Sequence, residues 1–476
     1  GTRFGLGGRA GHPHVSAMPQ MTRRTALVTA ASAAALAPVP LRRSRAQAAP
    51  ARAERPLFGA AHWRLPNGLQ VVFVENRRAP VIAQFLFYAA GGGEDPPGRS
   101  GVAHFLEHMM FKGSPNVASG AFSRVVAREG GNDNAFTSRD VTAYFQQVEA
   151  SRLPLVMRME SDRFAGALIP ADELEAERQV VLEERRTRTD NSPRALFQEA
   201  MGAALWGRQH SQGRPIIGWE EEIRATTRDD LVGFYRRFYM PANAILAISG
   251  DVREAELRRL VEEHYGPVAA HPAPARNRMA PPPAVQQARL ERRDARIREA
   301  VMIRAWMAPS IVYGATEHGL PLEVLAHILG SGQGSRLYRA LVDAGLATSA
   351  GAGYDSDSVG ATEFAVWAAP RRGVEPARVE EVARDEVTRI VEGGVTEEEV
   401  ARATRQMTAG ALLALDSLGA VPRVLGSALA IGIPLDDIEY WPSRIRAVTR
   451  EQVERAARAV LPTSPDVTGW LLPGTV

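Results

Sequence analysis

Residues 101–114 read GVAHFLEHMMFKGS and carry His104, Glu107 and His108 within one short apolar run. In an α-helix, residues three and four apart lie on the same face, so the two imidazole rings and the carboxylate are expected to converge. Neutral imidazoles bind zinc, and Glu107 is placed to take a proton from a zinc-bound water. The order His-x-x-Glu-His inverts that of the zincins. A helix with two incidental histidines is the alternative, and the apolar flanks and Gly-rich approach favour a metal site.

A third ligand is needed, because catalytic zinc sites usually have three protein ligands. The chain has no Cys, so that ligand must be a His or a carboxylate. Residues 171–187 (ADELEAERQVVLEERRT) have a helical pattern in which Glu177 and Glu184 are seven apart and share a face. A solvated acidic stripe is the ordinary explanation for such glutamates. We consider them instead a candidate ligand and a candidate supporting acid.

The composition indicates a globular protein of more than one domain. The chain has 476 residues, of which 45% are hydrophobic. Its formal charge is +3, but residues 1–48 hold seven of the 57 basic residues and no acid, which leaves 50 basic against 54 acidic residues beyond them. The basicity therefore belongs to the first 48 residues, and no nucleic-acid partner is expected.

Residues 1–48 have the pattern of an N-terminal extension followed by an export signal. Arg23 and Arg24 precede an apolar run at residues 26–39, and Ala46-Gln47-Ala48 resembles a signal-cleavage site. Paired arginines suggest the twin-arginine route, and hence a periplasmic protein. The apolar run is short for a membrane span, so a removed signal is favoured over the alternative of a permanent anchor.

The rest of the chain predicts an α+β fold. Strand patterns occur at residues 61–75, 81–89, 132–148, 243–249, 284–308, 351–369 and 466–472. Helical patterns occur at residues 101–114, 123–129, 151–164, 171–187, 228–239, 254–264, 319–329, 331–341, 376–392, 397–415 and 449–461.

The order of these elements repeats, which predicts two homologous α/β-sandwich halves. Residues 49–267 would form a zinc-binding domain, residues 268–283 a Pro-rich extended linker, and residues 284–476 a second domain.

The second half lacks the metal motif. Where the first half has His-x-x-Glu-His, it has Glu323-x-x-Ala326-His327. One histidine cannot hold a catalytic zinc, so we expect one zinc per chain and a metal-free second half.

Several ordered blocks resemble the pitrilysin or insulinase family of zinc peptidases, in particular its bacterial and mitochondrial processing-peptidase-like branch. The resemblance covers nearly the whole chain after residue 56. It rests on LPNGLQVVF, SGVAHFLEHMMFKGS, GGNDNAFTSRDVTAYF, ERQVVLEE, HSQGRPIIGW, YMPANAILAISGDV and, in the second half, GSGQGSRLYRAL. The resemblance implies a duplicated, clam-like enclosure.

The resemblance also assigns roles to residues. It implies that His104, His108 and Glu184 are the zinc ligands, that Glu107 is the general base, and that Glu177 is the supporting acid. It further implies that an edge strand binds the substrate as an added β-strand. The residues of that strand in this sequence are Asn134, Ala135, Phe136 and Thr137.

One block departs from the family pattern. The family's second half usually carries an Arg and a Tyr that support the substrate carbonyl, in a block such as LREKRGLAYS. Here residues 341–348 read LVDAGLAT, one residue shorter, so Val342 and Thr348 stand at those places. Neither supplies a charge or a phenol. We therefore expect this chain to be the zinc-bearing subunit of a heterodimer whose sister subunit supplies the Arg and the Tyr.

The expected function is a periplasmic zinc endopeptidase for short or unfolded peptides. Two alternatives stay open at this point: a non-catalytic peptide-binding or assembly subunit, and a maturation protease for one dedicated precursor.

Overall fold

The computed structural model of the protein describes residues 55–276, 278–282, 288–413, 417–462, 464 and 466–474. The predicted extension and export signal lie outside these residues. Among the described residues, no helix is both long enough and apolar enough to span a membrane.

The first sheet has six strands among the described residues. They are β1 (Ala61–Arg64), β2 (Gln70–Glu75), β3 (Val81–Tyr88), β4 (Asn132–Thr137), β5 (Thr142–Glu149) and β6 (Ala244–Gly250). Their order is β1-β2-β6-β3-β5-β4, and β2 and β6 are parallel while the other neighbours are antiparallel. Strand β4 therefore lies at one edge.

The second sheet repeats this topology. Its strands are β7 (Ala288–Asp294), β8 (Val301–Ala308), β9 (Ala347–Tyr354), β10 (Thr362–Pro370) and β11 (Asp466–Pro473), in the order β7-β11-β8-β10-β9. Strands β7 and β11 are parallel, and the other neighbours are antiparallel. In chain order, neighbours and direction, β7 to β11 match β2 to β6. The predicted α+β fold with two homologous halves is confirmed, while the exact domain boundaries stay predictions.

Helices cover the sheets. In the first half they are α1 (Val102–Met109), α2 (Ala121–Arg128), α3 (Leu153–Gly166), α4 (Ala171–Arg185), α5 (Pro193–Trp206), α6 (Glu220–Ala225), α7 (Arg228–Phe238) and α8 (Glu254–Tyr265). In the second half they are α9 (Gly319–Gly330), α10 (Pro376–Gly393), α11 (Glu397–Leu413), α12 (Ala420–Ala430), α13 (Leu435–Glu439), α14 (Trp441–Arg446) and α15 (Arg450–Val460). Short π-helical segments follow α4 (Arg186–Asp190) and precede β9 (Tyr338–Asp343).

The two halves exchange helices across their sheets. Helix α12 of the second half packs on β2, β3 and β6, where Leu425 and Phe87 are fully buried. Helix α5 of the first half packs on the second sheet, where Phe197 and Val467 are buried. A fully buried Leu or Phe side chain contributes about 1.5–3 kcal/mol, so these contacts stabilise the pairing of the halves. The sequence patterns gave no assignment for either helix.

Close approach at both exchanges depends on glycine. A Cβ built on Gly426 of α12 would lie 2.1 Å from the ring of Phe87, and one on Gly469 of β11 would lie 2.1 Å from the sulfur of Met201. A larger residue at Gly426 would meet a rigid ring and push α12 away from the sheet, whereas one at Gly469 would force the side chains of Met201 and Phe197 to move.

The linker between the halves is held by buried arginines. Arg276 Nε and Arg278 Nη1 lie 2.9 and 2.6 Å from Glu94 Oε1, and Arg278 also pairs with Asp140. Arg276 donates to the carbonyl of Ala430 at 2.8 Å, so the linker contacts both halves. The described residues of the Pro-rich segment form no helix or strand, as its composition indicates, and ion pairs fix the position of Arg276 and Arg278.

Candidate metal centre

The helix that carries the histidines, α1, is fixed at its N-terminus by a buried carboxylate. Asp95 accepts hydrogen bonds from the backbone N–H groups of Gly101 and Ala103, at 2.7 and 2.8 Å. Burial raises the pKa of Asp95 to about 7, and these hydrogen bonds oppose the rise. Gly101 has φ +89°, and a Cβ there would lie 2.4 Å from the carbonyl oxygen of Ile217. The Gly-rich loop is thus required for the chain to turn into α1.

The structure brings together the three side chains that the sequence pointed to as ligands. Helix α4 packs against α1, and Glu184 Oε2 lies 3.7 Å from His104 Nε2 and 3.2 Å from His108 Nε2. One ligand atom from each of the three side chains falls within 4.8 Å of the others. No other group of three His or carboxylate side chains among the described residues has its ligand atoms so close together.

The donor atoms fit a zinc ion. Zinc bonds of 2.0–2.1 Å to nitrogen and oxygen in a tetrahedron place ligand atoms about 3.3 Å apart. The observed separations of 3.2 and 3.7 Å are close to that spacing. Two imidazole nitrogens and one carboxylate oxygen form a donor set that suits zinc.

Glu177 and Lys112 form a row of charged contacts that begins at the Nδ1 atom of His108. Its Nδ1 lies 2.8 Å from Glu177 Oε1, and Lys112 Nζ lies 2.5 Å from Glu177 Oε2. A carboxylate on the second ring nitrogen orients a ligating imidazole and raises its basicity. Glu177 therefore contacts a candidate ligand, as expected for a supporting acid.

The pKa values of the three converging groups reflect this arrangement. Burial lowers the pKa of His104 to about 4. Burial also opposes the charge on His108, but its hydrogen bonds with Glu177 and Glu184 prevail and raise its pKa to about 10. For Glu184, burial is outweighed by the hydrogen bond with His108 and nearby positive charges, so its pKa falls to about 2. A metal at this point would compete with a proton on His108.

Glu107 points to the same centre and has a different environment. Burial raises its pKa to about 7, against the charge of His108 and a hydrogen bond from Thr137. The Thr137 hydroxyl donates to Glu107 Oε2 at 2.6 Å, and both side chains are buried. A carboxyl group with a pKa near neutrality can both accept and release a proton at physiological pH.

The predicted substrate strand is the open edge of the first sheet, β4. In its antiparallel ladder with β5, alternate side chains face opposite sides. Ala135 and Thr137 face α1, whereas Asn134 and Phe136 face the other side, where Phe136 contacts Phe87. The backbone N–H of Ala135 donates to its neighbour Asn134 Oδ1 at 2.8 Å. The side chain of Thr137 thus reaches Glu107, while its backbone belongs to the edge strand.

Two cations near the centre were missed by the sequence analysis. Lys112 contacts Glu177, and Arg188 pairs with Glu184 through the oxygen that faces away from the histidines. Each cation lies four residues after a site residue, His108 or Glu184, although Lys112 follows the end of α1 and Arg188 lies in the π-helical segment after α4. That spacing was the available signal.

Comparison with known proteins gives the family. Residues 70–218 match the family model described as insulinase (peptidase family M16), and residues 225–407 match the model of the peptidase M16 inactive domain. An uncharacterized zinc protease of Mycobacterium tuberculosis is 32% identical over 437 residues, which cover 88% of this chain and 93% of the relative. The chain belongs to the insulinase family of peptidases.

Solved structures of this family have the same fold. The crystal structure of a protease from Helicobacter pylori is 25% identical, with a TM-score of 0.80 over 88% of this chain and 100% of that chain. The first half of the periplasmic protease PqqL from Escherichia coli is 19% identical, with a TM-score of 0.71 over 88% of this chain and 93% of that chain. The family and the zinc-protease name of the relative support a metal-dependent peptidase role for this chain.

Proposed function

We propose that this chain is a zinc-dependent endopeptidase that hydrolyses short or unfolded peptides in the periplasm, as the catalytic subunit of a heterodimer. The observation that carries the proposal is the convergence of His104, His108 and Glu184 beside a buried Glu107. Incidental helical histidines would not meet a carboxylate from a second helix at zinc-ligand spacing.

In this proposal each residue has a distinct task. His104, His108 and Glu184 hold one zinc ion, which when bound supplies a Lewis acid. Glu107 takes a proton from the attacking water and delivers it to the leaving amine. Glu177 orients His108 through Nδ1.

The substrate would lie along β4 as an added strand. Edge strands present unpaired backbone groups, and a peptide can hydrogen-bond to them without regard to most of its side chains. The peptide would displace the Asn134 side chain from the N–H of Ala135. Because Thr137 belongs to the same strand and donates to Glu107, a peptide bound along β4 would lie next to the base.

The structure around the missing Arg and Tyr supports the heterodimer. Val342 packs against the core of the second half, and the Thr348 hydroxyl donates to the carbonyl of Ala369 at 3.2 Å. Neither side chain offers a charge or an acidic hydroxyl to a substrate. Export to the periplasm is supported by the pattern of residues 1–48 and by the likeness to the periplasmic protease PqqL from Escherichia coli.

The test combines metal content with activity. Elemental analysis of the purified mature chain should find one zinc per chain, and Glu184→Gln should lose it. A quenched-peptide assay should show weak cleavage by the chain alone and strong cleavage after a sister subunit is added. Full activity of the isolated chain would disprove the heterodimer. Absence of both zinc and activity under every pairing would leave the binding or assembly subunit as the better description, and cleavage of one precursor alone would favour a maturation protease.

A further inference from the structure

A guanidinium group from the second half reaches the edge strand of the first. Arg423 lies in the first turn of α12, the helix that packs on the outer face of the first sheet. Its guanidinium carbon is 4.3 Å from the centroid of the Phe136 ring, in β4. The cation thus lies beside the strand to which the proposed function assigns the substrate.

Arg423 differs from Arg276 and Arg278, which also lie near the contact between the halves. Arg276 and Arg278 each pair with a carboxylate. For Arg423, no carboxylate partner occurs among the described residues, and the ring of Phe136 is its side-chain contact. Burial lowers its pKa, and no neighbouring acid raises it.

An unpaired, partly buried cation attracts an anion that can reach it. Burying a charge without a partner costs free energy, and a carboxylate that arrives recovers part of that cost. The planar guanidinium also binds a carboxylate through two parallel N–H···O hydrogen bonds, which gives the contact geometric selectivity.

The position of Arg423 decides which substrate groups it can meet. A peptide added along β4 presents alternate side chains to opposite faces of the sheet. One set lies on the side of Thr137 and Glu107, and the other lies on the side of Phe136 and Arg423. Substrate side chains of the second set therefore pass close to the guanidinium.

We propose that Arg423 forms a subsite for a carboxylate of the substrate peptide, so that the enzyme prefers peptides with an acidic group on the Phe136 side of β4. This inference rests on the proposed function, because it takes the peptide to bind along β4. The carboxylate can be an internal Glu or Asp side chain or the free C-terminus, since both have the same chemistry.

The test measures selectivity and not absolute activity. Quenched peptides with Glu or Gln scanned through each position, with free or amidated C-termini, are compared by kcat/KM. At one position, or for the free over the amidated terminus, we expect a preference of about tenfold or more. Arg423→Met keeps an unbranched side chain over Phe136 and should reduce the ratio to about one, whereas Arg423→Glu should favour Lys at the same position.

A control variant and a binding measurement accompany the selectivity assay. Arg389→Gln alters an exposed arginine of the second half that pairs with Glu386, and it should leave the ratio unchanged. The same peptide pairs are measured for binding to the zinc-loaded Glu107→Gln variant, so the ratio is obtained whether or not a peptide is cleaved. Wild-type ratios near one at every position and terminus, or a ratio that persists in Arg423→Met, would overturn the proposal. Absence of cleavage together with a charge-dependent binding ratio would instead reject the peptidase function and keep the subsite.

Discussion

In the first half, His108 of α1 lies 3.2 Å from Glu184 of α4; in the second half, His327 of α9 lies 3.0 Å from Gln406 of α11. The spacing on the partner helices is also the same, because Glu177 precedes Glu184 by seven residues, as Glu399 precedes Gln406. The two halves thus place a histidine against a polar side chain in the same way, although among the described residues only the first half brings together a set of possible metal ligands.

The difference lies in the identity of three side chains and in the partner of a fourth. Glu323 stands at the place of His104, and its carboxylate accepts a hydrogen bond from Ser356. Ala326 stands at the place of Glu107, so the second half has no base there. Gln406 stands at the place of Glu184, so a neutral amide replaces a carboxylate. The pair of His327 and Gln406 joins the two helices by a hydrogen bond and carries no negative charge to attract a cation. In the second half, Glu399 pairs with Arg336 and not with a histidine. The fold supplies the geometry, and the side chains decide the chemistry.

The largest expected effect is the loss of metal from the first half alone. His108→Ala removes one of three proposed ligands and should reduce zinc content from about one per chain to below a tenth, with loss of all peptidase activity. His327→Ala should leave zinc content and activity within twofold of wild type. Elemental analysis and the quenched-peptide assay measure both. Zinc loss in His327→Ala would show that the second half contributes to metal binding.

A change of the base should separate activity from metal binding. Glu107→Gln removes the proposed proton acceptor, so kcat should fall about 10²–10⁴-fold. Zinc should remain, because Glu107 is not among the three proposed ligands that converge. Glu323→Gln is the same substitution on α9, at the place of His104, and should keep kcat within twofold. Equal losses of kcat in the two variants would contradict a catalytic role that is special to the first half.

Breaking a buried ion pair at the contact between the halves should lower the free energy of unfolding more than breaking an exposed ion pair. Arg278→Met leaves Glu94 and Asp140, 4% and 8% exposed, without one of their cations. Breaking such a buried pair costs about 3–5 kcal/mol in the free energy of unfolding. Arg389→Gln breaks a pair whose arginine is 65% exposed and should change that free energy by less than about 0.5 kcal/mol. Denaturant unfolding compares them, and a small effect of Arg278→Met would mean that packing of α5 and α12 holds the halves together without the linker.

The smallest effect concerns the hydroxyl that holds the base. Thr137→Val removes the hydrogen bond to Glu107, a contact of about 1.5–3 kcal/mol when one partner is charged, so kcat should fall about tenfold or more. KM should change little, since the backbone of β4 is kept, and Thr137→Ser should restore most of kcat. Thr142→Val is the control, because it removes the neighbouring hydroxyl, 3.5 Å from that of Thr137, and keeps the Thr137 hydroxyl that donates to Glu107. If KM rose in place of a fall in kcat, Thr137 would act through substrate binding, as its position in the edge strand first indicated.

Much of the candidate site was predictable because it depends on local spacing. His104, Glu107 and His108 share a helical face through their sequence separation alone, and Glu177 and Glu184 do so on α4. The repeated order of strands and helices also predicted the two halves, which the two sheets confirm. These features follow from periods of 3.6 and 2 residues, which a sequence displays directly.

Other features exist only because distant segments meet. The approach of α4 to α1 sets the 3.2 Å separation of Glu184 and His108, and the sequence gives no distance between two helices. Neither the exchange of α5 and α12 nor the position of Arg423 over Phe136 has a local signal. The sequence alone determined which groups are available and which face of each element they share. Tertiary structure decided which faces meet, because side-chain packing between elements far apart in the chain depends on shape and burial, which no local period encodes.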